Sequence, residues 1–285
     1  MFFLLSPGCP ENGSLTIVLN PDLIRQELQT LSGSFPLPQI AIHPFDCLPS
    51  TNDQVWELLS AGESVPVMAI AQQQTAGRGQ WGRQWQSSPG GLYLSLGLTI
   101  TPEQLSPLLT FASAWGIATT LQQVEIPVRL KWPNDLILQG YKLGGIKLET
   151  RSSCPHIVVG VGINWQNQPP FPGISLETFF QRQGKRYISH LEQLAALTTS
   201  GILKGYDFYA HQGCAPLLQA YEALLIHLNQ EVKINGSPGT ILGVNKQGEL
   251  RIRLKSPGAS SEIRCPLGTI SLGYDLPNVN PSELP

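Results

Sequence analysis

Charge is scarce in this chain of 285 residues: Asp, Glu, Lys and Arg together make up only 13%, about half the usual share for a soluble globular protein. The 18 basic and 20 acidic residues leave a formal net charge of −2. The basic surplus of a nucleic-acid binder is missing, so no DNA contact is expected. The five cysteines, Cys9, Cys47, Cys154, Cys214 and Cys265, are scattered, and none forms a C-x-x-C or Cys/His pair at zinc spacing. They are expected to be buried or incidental thiols in a reducing cytoplasm. No apolar run reaches the length of a membrane span, and the opening Met-Phe-Phe-Leu-Leu lacks both the charged start and the length of a signal peptide. A cytoplasmic protein without membrane contact is expected. No Gly-x-x-x-x-Gly-Lys-Ser/Thr phosphate loop occurs, and Gly77-x-Gly79 is not followed by the amphipathic helix of a dinucleotide fold.

What is present favours a real core with many turns: 41% hydrophobic residues, 28 Gly and 24 Pro. Residues 1–39 read as an irregular extension, with a strand over 15–19 and a short helix over 22–31. Cap-type residues at Ser50 to Asp53 open a helix that Gly62 stops. Residues 65–70 and 92–100 read as strands, the second alternating. Thr101-Pro102 caps a helix running to about Gln123. Residues 128–131 form a strand, and 136–138 and 142–149 form a hairpin turning at Gln139-Gly140. A strand over 157–164 carries Gly160 and Gly162 on one face. Helices follow over 175–180 and 190–228, with breaks expected at Gly205 and at Gly213 to Pro216. From Glu231 short strands separated by Asn-Gly and Pro-Gly turns suggest a small SH3-sized β-barrel.

One loop stands out. Gln74 to Trp85 holds three glycines, two arginines and two tryptophans. Glycines allow close backbone approach to a ligand, bare amides and Arg78 and Arg83 suit an anion, and Trp81 and Trp85 suit an apolar body. Three companions follow: Lys131-Trp132-Pro133-Asn134-Asp135, Lys142-Leu143-Gly144-Gly145-Ile146, and Gly160-Val161-Gly162-Ile163-Asn164. Singly, each has a plain reading as a turn, an exposed strand end or close packing.

Together with Ser50-Thr51-Asn52, these motifs resemble the biotin protein ligases, over residues 40–272. The resemblance implies an α+β fold: a class II synthetase-like catalytic domain with a mixed, mainly antiparallel sheet and helices (40–229), an SH3-like barrel (230–274) and a tail (275–285). It implies biotin and ATP as substrates, Mg²⁺, and a biotin carboxyl carrier protein of acetyl-CoA carboxylase as partner. Some members of the family carry an N-terminal DNA-binding domain; the short extension, poor in basic residues, and the near-neutral charge lead us to expect the type without it. Monomer and homodimer both remain open. Catalysis would fall to Lys142, Arg78 and Asp135. Biotin would be bound by Ser50, Thr51, Asn52, Gln74, Arg78, Gly79, Gln80, Lys142 and Gly145, with Gly160 and Gly162 making room for it. ATP and the adenylate would be served by Arg78, Arg83, Trp85, Lys131, Asn134 and Asn164. Asp135 would orient the reacting groups, hold Mg²⁺ or accept a proton, and the sequence does not separate these roles. One departure is Gln80, where the family pattern Gly-Arg-Gly-Arg-x-Gly-Arg has arginine; a neutral amide there forgoes about 1.5–3 kcal/mol of charge-assisted bonding if buried, so weaker adenylate retention is expected. The rival readings are a lipoate or octanoate ligase of the same fold and a non-catalytic biotin-sensing regulator.

Overall fold

The computed structural model describes residues 19–33, 36–101, 107–152, 154–234, 236–256 and 259–274. The expected strand over 15–19 falls almost wholly outside them. Helix α1 (Pro21–Leu31) is capped by Asn20, whose side chain accepts from the amides of Asp22 and Leu23. A seven-stranded sheet follows. Its strands are β1 (Ala41–Leu48), β2 (Val67–Gln74), β3 (Leu92–Thr99), β4 (Arg129–Lys131), β5 (Asp135–Leu138), β6 (Tyr141–Thr150) and β7 (His156–Ile163). The spatial order is β1-β2-β3-β7-β6-β5-β4. Only β1 and β2 run parallel; every other neighbouring pair is antiparallel.

Helix α2 (Thr51–Ser60) covers one face, packing Val55 and Trp56 on Val67, Ala69 and Val158. Helices α3 (Leu108–Gln123), α4 (Leu176–Gln183), α5 (Leu191–Gln212) and α6 (Cys214–Leu224) complete the helical set among the described residues, and α3 and α5 share the main core on the other face. Cover on both faces explains why β3 does not alternate as expected: Leu92 to Leu98 are all buried. The expected start of α3 at Thr101-Pro102 falls partly on residues outside the description; the described helix starts at Leu108, after Pro107.

The expected break at Gly205 does not occur, because α5 runs through it. Gly205 is there for packing. A Cβ on it would collide with the carbonyl of Ala112, and one on Gly116 with that of Gly201, so α3 and α5 touch backbone to backbone. The break at Gly213 is real, with φ at 81°. The hairpin turn is also as read, with Gln139 and Gly140 both left-handed, φ 52° and 84°.

A second sheet holds β8 (Glu231–Ile234), β9 (Ser237–Val244), β10 (Leu250–Ser256) and β11 (Ala259–Cys265), in the order β11-β10-β9-β8. Ile241, Val244, Leu250 and Ile252 are continuous with the main core. The small β unit therefore leans on the larger sheet-and-helix body rather than standing apart. Two hydrogen bonds fix it there: the Trp132 indole donates to the Gly248 carbonyl at 3.0 Å, and the Val244 amide to Glu222 Oε1 at 2.7 Å. Cys154, Cys214 and Cys265 are free thiols as expected, whereas Cys47 is disulfide-bonded.

Replacing Gly116 with Val forces a branched side chain between two helix backbones. The expected result is a loss of about 1–3 kcal/mol in stability, read from urea unfolding midpoints at unchanged m-value.

Candidate active site

Strand register builds the site. On one face of the large sheet, Lys131 pairs with Asp135, Asp135 with Gly145, Gly145 with Gly162, and Gly162 with Tyr93. The adjacent row holds Lys147, Gly160 and Ser95. By strict alternation Lys142, three residues before Gly145, belongs to the opposite face. A register shift between β5 and β6 at Leu136/Ile137 changes this: Leu143 becomes the extra residue and is fully buried in the core. Lys142 is thereby turned towards Asp135, a β-bulge re-aiming one side chain.

The result is a carboxylate held by three donors. Lys142 Nζ lies 2.7 Å from Asp135 Oδ1, and Lys131 Nζ lies 3.3 Å from Oδ2. The hydroxyl of Tyr274 donates to Oδ2 at 2.9 Å, and its ring centroid lies 4.2 Å from Lys131 Nζ. Lys131 and Asp135 are almost wholly buried. Desolvation pulls the Lys131 pKa below its ordinary value against the attraction of Asp135, and burial pushes that of Tyr274 far upward, so the phenol stays a donor.

Beside this cluster the loop after β2 closes a cleft of about 930 Å³, counting its open mouth. Every residue given a catalytic or ligand-binding role from the sequence lines it except Asn164. Asn164 lies behind the strand, donating to the Lys142 carbonyl at 3.3 Å and accepting from Asn167. It supports Lys142 from the rear. Lys131 and Asn134 flank the far end, where Asn134 donates to the Ile146 carbonyl at 2.8 Å. Gln80 donates to the same carbonyl at 3.3 Å. Among the described residues the guanidinium of Arg83, which lines the cleft, has no carboxylate within ion-pair distance.

Arg78 also lines the cleft, yet its fork is already engaged. It binds Asp53 bidentately, at 2.5 and 2.7 Å, and reaches Glu149 at 3.2 Å. Both carboxylates raise its pKa further. The sequence reading gave Arg78 wholly to ligand; the structure also makes it the brace that ties the loop to the first turn of α2.

The uncharged corner is cross-linked in the same way. Gln74 Oε1 accepts from the Thr51 amide at 2.8 Å and from its hydroxyl at 3.1 Å, thereby capping α2 in place of the Ser50 side chain. Ser95 lies 2.7 Å from Thr51 Oγ1 and 2.6 Å from Asn52 Oδ1. The Ser50 hydroxyl, bonded to no capping amide, faces the cleft. Gly160 and Gly162 line the cleft and also make room for protein: a Cβ on Gly160 would strike Asn52, and one on Gly162 would strike the indole of Trp85. That indole Nε1 is buried without a partner, and the ring centroid lies 5.4 Å from Lys142 Nζ.

The two oxygens of Asp135 take three donors, and among the described residues no three His, Cys, Asp or Glu gather to form an all-protein metal cage. Sequence reasoning missed Asp53, Glu149, Ser95 and Tyr274. Ser95 sits at even spacing on a recognised strand and was open to discovery; Tyr274 reaches the site from 139 positions away, and nothing local marks it.

The comparisons with known proteins agree with this geometry. Residues 45–164 match the biotin/lipoate A/B protein ligase family. The chain is 34% identical over 219 residues to the biotin–[acetyl-CoA-carboxylase] ligase of Paracoccus denitrificans, covering 72% of this chain and 90% of that protein. The chain belongs to the biotin protein ligases of this family. It is also 32% identical over 208 residues to the bifunctional ligase/repressor BirA of Escherichia coli, covering 70% of this chain and 63% of that relative, so it spans less than two thirds of the bifunctional protein. Among solved structures, the biotin protein ligase of Aquifex aeolicus in complex with biotin and ATP aligns with a TM-score of 0.61 at 25% identity, covering 79% of this chain and 99% of that one. The mixed sheet with a smaller C-terminal sheet is thus the architecture of biotin protein ligases.

The packing of Trp85 on a bare strand is open to a direct check. Gly162→Ala is expected to displace the indole, shift tryptophan emission to longer wavelength and cost about 1–3 kcal/mol in unfolding free energy.

Proposed function

We propose that this protein activates biotin with ATP and transfers it to a lysine of a biotin carboxyl carrier domain. The observation that carries the reading is the pairing of two unlike halves in one cleft: the Ser50, Thr51 and Gln74 corner, hydroxyl- and amide-lined and without charge, and the Lys131, Lys142 and Arg83 cations facing it. Biotin has a neutral ureido head and an anionic tail, and ATP is polyanionic.

The first step joins two anions. A carboxylate oxygen of biotin bonds to the α-phosphorus of ATP, and the bond to pyrophosphate breaks, leaving biotinyl-5′-AMP. Repulsion between the reactants is the main barrier, and fixed positive charge offsets it. Lys142, aimed by its bulge and partly open to the cleft, is placed to contact both carboxylate and α-phosphate. Lys131 and Arg83 serve the nucleotide side, and Trp85 walls the apolar part of the ligand. Any Mg²⁺ is proposed to enter on the ATP phosphates as part of the substrate. In the second step the carrier amine attacks the mixed anhydride and AMP leaves. The proposal extends to a cytoplasmic monomer or homodimer without DNA contact; no helix among the described residues is long and apolar enough to cross a membrane.

Biotin-dependent exchange of labelled pyrophosphate into ATP tests the reading. Wild type is expected to exchange with biotin and not with lipoate, and Lys142→Ala to lose about 100-fold or more. Exchange driven by lipoate alone would overturn it. Mass spectrometry of a carrier domain incubated with the protein, biotin and MgATP tests the transfer, where a single biotinyl addition is expected.

Gln80 generates a separate expectation. It offers a neutral amide, already bonded to Ile146, where a third loop arginine would present charge. Gln80→Arg is expected to slow adenylate release about tenfold, measured by dilution of preloaded protein. Equal release rates would remove the idea.

A further inference from the structure

The C-terminal segment that follows β11 is part of the catalytic cleft. Ile270, Ser271 and Leu272 line it, Gly268 lies so close to Trp81 of the ligand loop that a Cβ there would strike the indole, and Tyr274 reaches Asp135. We propose that Tyr274 is a positioning residue for the adenylation step, acting through Asp135 on the availability of Lys142. The inference rests on the function proposed above.

The argument follows from how one carboxylate divides its charge. Asp135 gives Oδ1 to Lys142 at 2.7 Å and shares Oδ2 between Lys131 at 3.3 Å and the phenol at 2.9 Å. To meet the reacting oxygens, Lys142 must loosen its hold on Oδ1. A donor on Oδ2 withdraws charge from the carboxylate and weakens the grip on Lys142. The phenol suits this task because it cannot compete for the anionic ligand as a cation would, and because burial keeps it protonated. Its ring meanwhile covers Lys131 Nζ, which holds that ammonium on Oδ2 and away from Oδ1. Without the hydroxyl, Asp135 has only ammonium partners and binds Lys142 more tightly in the resting site. The other parts of the cleft, Arg83 and the Ser50, Thr51 and Gln74 corner, are untouched.

Tyr274→Phe keeps the ring and removes only the donor. In biotin-dependent pyrophosphate–ATP exchange, kcat is expected to fall about tenfold, with KM for biotin and for ATP within twofold of wild type and an unchanged unfolding midpoint. Tyr274→Leu, which also uncovers Lys131, is expected to fall further. An unchanged kcat in Tyr274→Phe overturns the proposal, as does a loss shared by KM and the unfolding midpoint, since that marks a merely structural contact. Wild type that exchanges normally beside an unaffected Tyr274→Phe removes this proposal alone; wild type without biotin-dependent exchange removes the functional reading as well.

Discussion

A single carboxylate between two ammonium groups organises this molecule's chemistry. Lys131 and Asp135 are nearly excluded from water, where an unpaired charge of either sign costs several kcal/mol. Lys131 is not tolerable without its carboxylate. Pairing them fixes the Trp132-Pro133-Asn134 turn that joins β4 to β5, and the turn is anchored further by Tyr221, which donates to the Pro133 carbonyl at 3.0 Å. Lys142 then completes the cluster from the next strand. Burial that works against the charge on Lys131 is what makes Asp135 indispensable, and the positive excess left over is what an anionic pair of substrates needs.

The sheet supplies this arrangement by register and one irregularity. Antiparallel pairing sets Lys131, Asp135, Gly145 and Gly162 in a row, and the bulge at Leu143 brings Lys142 onto the same face. The loop from Gln74 to Trp85 is then laid across the strands by contacts at both ends. Gln74 is locked into the start of α2, Arg78 into Asp53 and Glu149, and Trp85 into the gap over Gly162. Closing the far side of the cleft falls to the C-terminal segment. The second sheet therefore contributes to the site directly, through the residues that follow its last strand.

Much of this was legible in the sequence because the signals were local. The Gln139-Gly140 turn and the end of α5 at Gly213 depend on neighbouring residues alone, and each is found as read. The motif residues gather in one cleft because they sit at strand ends and on the loop that the fold brings together. What escaped depends on long-range packing. Gly205 looks like a helix breaker, yet it is the contact point of two helices. Gly160 and Gly162 line the cleft, and their bare backbones also admit Asn52 and Trp85, a packing role that needs the distant segments in place. The extra residue of the bulge and the reach of Tyr274 have no local mark, since both arise from pairing between distant segments.

The central claim is that Asp135 is the counter-charge on which a buried Lys131 depends, and a stability cycle tests it most directly. Urea unfolding of Asp135→Asn, Lys131→Met and the double variant is the measurement. Asp135→Asn is expected to lose about 3 kcal/mol by stranding the buried ammonium, and the double variant to recover most of that loss. Equal stability of Asp135→Asn and wild type, or strictly additive losses in the double variant, would contradict the account.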